Sequence, residues 1–394
     1  MMENNLSAIR TPFYLYDLEL LENTLKSIVE EKNKYNNFFV HYAIKANANL
    51  QLLNVISKYG LGIDCVSGGE LKKCLDAGFK GDSIVFAGVA KTDGEIELGI
   101  DNDIFSFNVE SVPELEVINE IAGRKGKKAN VCLRINPDVD AHTHANITTG
   151  LAENKFGLSK EKTEQWISMA MSMDNIIFRG LHFHIGSQIL DMNPFKNLCL
   201  EINSILENLK TAGLNIDVVN VGGGLGIDYE NPNDNSIPDF KNYFSTFADN
   251  LKLKPNQQLP FELGRAVVGQ CGSLICKTLY VKKAEHKKFL MVDGGMTELI
   301  RPALYNAFHK VENISKTYNI RLTDAPAFNS NYEKYDVVGP ICESSDVFVK
   351  DYLMPETQRG DFIAIRSAGA YGEVMASNYN CRPLPPSYTL EQIL

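Results

Sequence analysis

Residues 38–47, FFVHYAIKAN, form an apolar, aromatic and β-branched run of strand length that ends in Lys45. Strand alternation sets Phe39, His41, Ala43 and Lys45 on one face. Lysine is rarely buried unless it is paired or used. A desolvated lysine has a lowered pKa, and its neutral amine attacks an aldehyde to form a Schiff base. Taken alone, a lysine that snorkels to water explains the position as well. The other polar residues shift the balance, because they recur at the ends of apolar runs. Asp64 and Ser67 close one run, Arg134 and Asn136 another, and His182 and His184 a third. Gly222, Gly223 and Gly224 follow, then Glu262 and Arg265. The stretch VGGGLG bares backbone N–H groups that can cradle a phosphate, and Ser187 can add a hydroxyl. Each has a plainer explanation: a tight turn for the glycines, a hydrogen-bonded core imidazole for His184, a structural ion pair for Glu262 and Arg265. GPICESSD is harder to explain by packing. It gathers Cys342, Glu343, Ser344, Ser345 and Asp346, and a thiol beside carboxylates suits proton transfer.

These residues need a frame that brings strand ends together. Strand candidates lie at 38–45, 62–67, 84–89, 104–110, 131–136, 177–185, 217–222 and 258–263, with helical patterns between them. Eight strands alternating with helices predict a (β/α)8 barrel, whose active site sits at the C-terminal strand ends. An open doubly wound sheet has the same periodicity. Before the barrel, Asp17 is a candidate N-cap for a helix through about Lys32. Beyond about residue 268 the runs TLYVKKAE, KFLMVD, YDVVGPICESSDVFV and DFIAIRSAGAYGEVM predict a β-rich domain. The expected division is 30–268 for the barrel, with 1–29 and 269–394 in the β-rich part.

With 394 residues and 44% hydrophobic composition the chain can bury a large core. Its net charge of −10 argues against nucleic acid or an anionic membrane as partner. The basic run Lys282–Lys288 is broken by Ala284 and Glu285 and reads as a solvated hairpin. The eight cysteines form no metal or disulfide framework, so no metal site is expected and most read as core thiols of a cytoplasmic protein. No leader-like apolar segment opens the chain, and no stretch approaches a membrane span.

In order, HYAIKAN, HFHIGSQ, GGGLG, E-x-G-R, DGG, RPALY, CESSD and GAYG resemble the motifs of the fold-type III pyridoxal-phosphate decarboxylases, over about residues 13–383. PDVDAHTH (137–144) and TGLAENKFG (149–157) are similar to the branch acting on diaminopimelate rather than ornithine or arginine. One departure is Leu263, where the family has proline in E-P-G-R. The resemblance implies an alanine racemase-like barrel that binds pyridoxal 5'-phosphate, plus a β-rich domain, in a homodimer with active sites at the subunit interface. Lys45 would hold the cofactor, Glu262 would pair with its ring nitrogen and His184 would stack on its ring. Ser187, Gly223, Gly224, Gly264, Arg265 and Tyr371 would bind its phosphate, with Asp64 near the lysine. Cys342, from the neighbouring subunit, would donate a proton. Arg265, Arg301, Tyr305, Glu343 and Tyr371 would hold the substrate. A racemase is the competitor from another reaction class, but family racemases place arginine where this chain has Glu262. A non-catalytic homologue would be expected to lose Lys45, Cys342 or the β-rich domain. Decarboxylation of another diamine precursor, such as carboxynorspermidine, is the nearest alternative.

Overall fold

The computed structural model describes residue 6 and residues 8–139, 156–323 and 331–393. The chain falls into two compact units. One comprises Leu25–Gly226 and Asp239–Gly264, the other the stretch up to Thr24 with Ile227–Pro238 and Arg265–Leu394.

The first unit is a parallel barrel. Its strands are Phe38–Ala43, Gly62–Cys65, Ile84–Phe86, Ser106–Val109, Ala129–Asn136, Ile176–His182, Val218–Asn220 and Leu259–Leu263. The first seven pair successively in chain order, and Leu259–Leu263 pairs back onto Phe38–Ala43. The seam between the last two strands is closed by Val219 and Val221 donating to the carbonyls of Gln258 and Pro260. The alternative of an open sheet is thereby settled in favour of the barrel.

Local chemistry explains the helices that return the chain between strands. Ser67 accepts from the Glu70 amide as N-cap of helix Gly68–Asp76, so it serves the helix end and not the strand end. Thr92 and Glu95 form a reciprocal capping box on helix Asp93–Asp101. Helix Phe240–Asn250 shows why Glu262 points inward. Phe261, its neighbour in the last strand, packs at 5.0–5.6 Å against Tyr243, Phe244 and Phe247 of this helix. Strand alternation then turns Glu262 to the opposite face.

The second unit is built on a mostly antiparallel eight-stranded sheet. Its long strand Gly272–Lys283 pairs near its start with Phe13–Tyr16 and Phe362–Ile365, and near its end with Lys288–Val292. That last pairing is the hairpin expected around the basic run. Phe13 and Leu15 enter a core with Ile275, Phe362 and Leu390, while Tyr14 and Tyr16 donate their hydroxyls to the Glu298 carbonyl and the Glu373 carboxylate. Asp17 caps helix Leu18–Lys32 through the Leu20 amide. Among the described residues no helix is long and apolar enough to cross a membrane. Six cysteines are buried and free, whereas Cys342 and Cys381 are exposed and free.

Candidate active site

Lys45 does not lie on the strand itself. The strand stops at Ala43, and Lys45 sits in the short 3-10 turn Ile44–Ala46. The Tyr42 hydroxyl donates to the Asn47 carbonyl at 2.7 Å and folds the chain back at this point. Gly264 lies against the same turn: a Cβ there would come within 3.1 Å of Ala46 Cβ and 3.3 Å of Ala43 Cβ. Leu263, in place of the family proline, is the buried last residue of its strand and pairs in register with Tyr42. Strand pairing therefore fixes the backbone that proline would otherwise stiffen.

Lys45 Nζ donates to Asp64 Oδ2 at 3.1 Å; the lysine side chain is 38% exposed and the aspartate fully buried. Burial drives the Asp64 pKa up to about 7, with Lys45 opposing and Glu262 reinforcing the shift. The second Asp64 oxygen is buried without a hydrogen bond among the described residues.

Glu262 is enclosed by three side-chain partners. Oε1 accepts from Asn108 Nδ2 at 2.9 Å and Asn220 Nδ2 at 2.6 Å, and Oε2 lies 3.0 Å from His182 Nε2. Burial alone would raise the pKa of Glu262. His182, Lys45 and Asn220 outweigh it and hold the carboxyl well below its ordinary range. A carboxylate offers about four acceptor positions, so three donors leave capacity for one more on Oε2.

His184 lies beyond the end of its strand, which stops at His182. Its Nδ1 accepts from the Gly223 amide at 3.3 Å. Burial, then Arg134 and Lys45, keep its imidazole neutral. The glycine loop is less bare than its sequence suggests. The Gly222 amide is taken by Asn220 Oδ1 at 2.9 Å and that of Gly223 by His184. The Gly224 amide has no hydrogen bond among the described residues. Gly223 must be glycine because a Cβ would meet the Glu262 carbonyl at 2.0 Å. Ser187 stands beside this loop, since Ile189 donates to the Gly224 carbonyl and accepts from the Gly226 amide. Arg134 pairs with Glu110 at 2.8 Å and lies over the Phe156 ring. The PDVDAHTH and TGLAENKFG motifs fall largely on residues outside those described.

The β-rich unit holds the remaining candidates. Arg265 Nη1 and Arg301 Nη1 both donate to the Tyr229 hydroxyl, at 2.7 and 2.8 Å. Arg265 also lies 4.9 Å from the Tyr371 ring centroid, and Tyr371 holds a positive φ of 56°. Tyr305 is half-buried at the end of helix Arg301–Tyr305. In the 339–346 loop the Cys342 thiol is exposed. Asp346, one of the two carboxylates near it, is committed elsewhere. It accepts from the amides of Met296 at 2.6 Å and Ile341 at 2.7 Å and so ties the loop down. Gly295 of DGG is glycine because a Cβ would meet this carboxylate at 2.7 Å. Glu343 is exposed and accepts from Ser345 Oγ at 3.1 Å.

Sequence reasoning gave no role to Asn108, Asn220, Tyr229 and His309, and placed His182 only at a strand end. The signal was a lone asparagine inside the apolar runs FSFNV and VVNV, where a buried amide must find a partner.

The barrel groups fit a phosphorylated cofactor with a ring nitrogen: Glu262 has one acceptor position left, Asp64 an unused buried oxygen, and Gly224 an unused amide. Comparison with known proteins agrees. Residues 21–269 match the family of the pyridoxal-dependent decarboxylase, pyridoxal binding domain. A diaminopimelate decarboxylase of Bacteroides thetaiotaomicron is 58% identical over 387 residues, covering 98% of this chain and 97% of the relative. One from Vibrio cholerae is 40% identical over 95% of this chain and 86% of its own. The crystal structure of diaminopimelate decarboxylase from Helicobacter pylori complexed with L-lysine superposes with a TM-score of 0.88 at 38% identity, covering 99% of this chain and 94% of that one. The chain belongs to the pyridoxal-dependent decarboxylase family.

Proposed function

We propose that the protein decarboxylates meso-2,6-diaminopimelate at its D centre, giving L-lysine and CO2, with pyridoxal 5'-phosphate as cofactor. The observation that carries this reading is the ionised Glu262, enclosed by Asn108, Asn220 and His182, in the same barrel as the Lys45–Asp64 pair. Bound pyridoxal phosphate supplies an electron sink for the pair left behind when CO2 departs. Glu262 would keep the ring nitrogen protonated, which favours decarboxylation over the weaker coupling of racemases. Lys45 would hold the cofactor through its amine, with Asp64 as the neighbouring group that takes or returns a proton near neutrality. His184, neutral, would stack on the ring. Ser187, Gly224, Gly264, Arg265 and Tyr371 would hold the phosphate, the backbone of Gly264 and Arg265 included, while Gly223, its amide on His184, would shape the loop beside it.

Decarboxylation breaks the bond from the substrate's α-carbon to its carboxylate, and the released pair must end in a C–H bond. Cys342 would give its thiol proton to that carbon and regain one from water. Arg265, Arg301, Tyr305, Tyr371 and Glu343 would hold the distal L centre, the arginines on its carboxylate and Glu343 on its ammonium. The reading takes the enzyme to be a cytoplasmic homodimer in which each copy supplies Cys342 to the other's site. Unpaired cysteines suit a reducing compartment. The exposed Leu304 and Phe308 of the β-rich unit suit a partner surface.

The test is incubation of the purified protein and pyridoxal phosphate with meso-diaminopimelate, following CO2 and chiral product. Release of CO2 with L-lysine is expected. L-Lysine and L-ornithine, which lack the distal carboxylate, should react roughly 10⁴-fold less well. Borohydride should fix the cofactor to Lys45. Racemisation without CO2, preference for carboxynorspermidine, or labelling of another lysine would overturn the reading.

A further inference from the structure

Arg301 is a buried cation with unusual company. It is 5% exposed, and it hydrogen-bonds the Tyr229 hydroxyl at 2.8 Å and His309 Nε2 at 2.8 Å. No carboxylate pairs with it among the described residues. Burying a guanidinium without a counter-anion is costly unless an anion arrives to share the site.

The partners are arranged to hold the guanidinium without neutralising it. A guanidinium only donates, so His309 Nε2 must accept. The proton of that imidazole then sits on Nδ1, which donates to the Arg366 carbonyl at 2.9 Å. His309 is fully buried, and desolvation together with Arg301 lowers its pKa to about 3, so it stays neutral. Tyr229 performs the second task. Its single oxygen accepts from Arg265 and Arg301 at once, and its ring lies 4.9 Å from the Arg301 guanidinium and 5.0 Å from the His309 ring. Two like charges are thus fixed on one acceptor.

We infer that Tyr229 and His309 are positioning residues that set the Arg265–Arg301 pair for the substrate's distal carboxylate, and so determine selectivity for a diacid. The inference rests on the proposed assignment of Arg301 to that carboxylate. Neither residue needs to touch the substrate. Tyr229 fixes the spacing of the two guanidiniums, and His309 orients one of them while adding no third charge.

The experiment compares holoenzyme forms of Tyr229→Phe, His309→Leu, His309→Gln and Arg301→Ala in steady-state kinetics with meso-diaminopimelate. Cofactor absorbance is recorded for each. Loss of a hydrogen bond to a charged group is worth roughly 10-fold to 100-fold, and that rise in KM is expected for Tyr229→Phe and His309→Leu. The kcat should fall by less than about threefold, because the interaction is with bound substrate and transition state alike. Cofactor absorbance should be unchanged. His309→Gln, whose amide oxygen can still accept from Arg301, should recover most of the loss. A KM within about twofold of wild type in Tyr229→Phe would overturn the inference. So would loss of cofactor in step with KM, or glutamine serving no better than leucine at 309. If His309→Leu does not fold, Tyr229→Phe decides, since it removes one oxygen only. If Arg301→Ala raises KM while Tyr229→Phe does not, this inference alone fails. If Arg301→Ala leaves KM unchanged, the assignment beneath it fails too.

Discussion

Asp64 and Glu262 are buried carboxyls in one barrel, pushed in opposite directions by their partners. Asp64 has one lysine for company and sits at about 7, whereas an unstructured aspartate titrates near about 3.9. Folding therefore takes up a proton at Asp64 between those values. Its contribution to stability is fully present below about pH 4 and is lost as pH rises through about 7. Glu262, with two amides and an imidazole on it, is depressed, so its contribution is present above the ordinary glutamate range and lost only in acid. Between pH 5 and 8 only the Asp64 effect of the two varies. His41, His184 and His309, held neutral by burial, make stability rise with pH over the lower part of that interval. The Asp64 effect is therefore read as a difference: in urea unfolding of cofactor-free protein, wild type should lose stability relative to Asp64→Asn as pH rises from 5 to 8. The same slope in both proteins would remove Asp64 from the account. The same pKa gives Asp64 its proposed use, because a carboxyl poised near neutrality can exchange a proton with the Lys45 amine during turnover.

At the scale of elements, the site depends on strands held from behind by helices. Phe261 is fully buried against Phe38, Tyr243, Phe244 and Phe247, and its strand carries Glu262 on the other face. Phe261→Ala should cost ~3–5 kcal/mol in urea unfolding and loosen cofactor binding with it. Ser67→Ala removes only a helix cap and should cost ~1 kcal/mol, with cofactor binding intact. If Phe261→Ala cost no more than Ser67→Ala, the packing argument would fail. The eight barrel strands were legible because each is an apolar run bounded by polar residues, and the period-two signal is local. Their ends were less legible. The strand before Lys45 stops two residues early because of the Tyr42 hydroxyl bond to Asn47 and the close approach of Gly264, and neither is a property of the run itself. The partners of Glu262 come from positions 42, 80 and 154 residues away, so no local pattern announces them. The same holds for Asp346. Its sequence setting beside Cys342 suggested proton transfer, yet its oxygens are taken by the amides of Ile341 and Met296. Motif order carried the family assignment, and the division of labour within each motif needed the fold.

At the scale of the whole molecule, a net charge of −10 argues for a small-molecule partner and against nucleic acid. The proposed dimer makes a quantitative demand. Lys45 is in the barrel unit and Cys342 in the β-rich unit, and the reading draws the two groups of each active site from different chains. Lys45→Ala and Cys342→Ala should each be nearly inactive alone. Mixed in equal amounts and allowed to exchange, they should form homodimers and heterodimers in a 1:2:1 distribution, as expected for a symmetric pair. In a heterodimer one site receives both damaged residues and the other receives neither. Half of the molecules then carry one good site of two, and the mixture should regain about a quarter of wild-type activity. If each site were instead built from a single chain, every site in the heterodimer would carry one lesion and mixing would restore nothing. Subunit exchange must be shown independently, for example by mass-tagging one variant and finding the mixed species. With exchange proven, a mixture as inactive as its parents would remove Cys342 from the partner's site and the dimer from the mechanism.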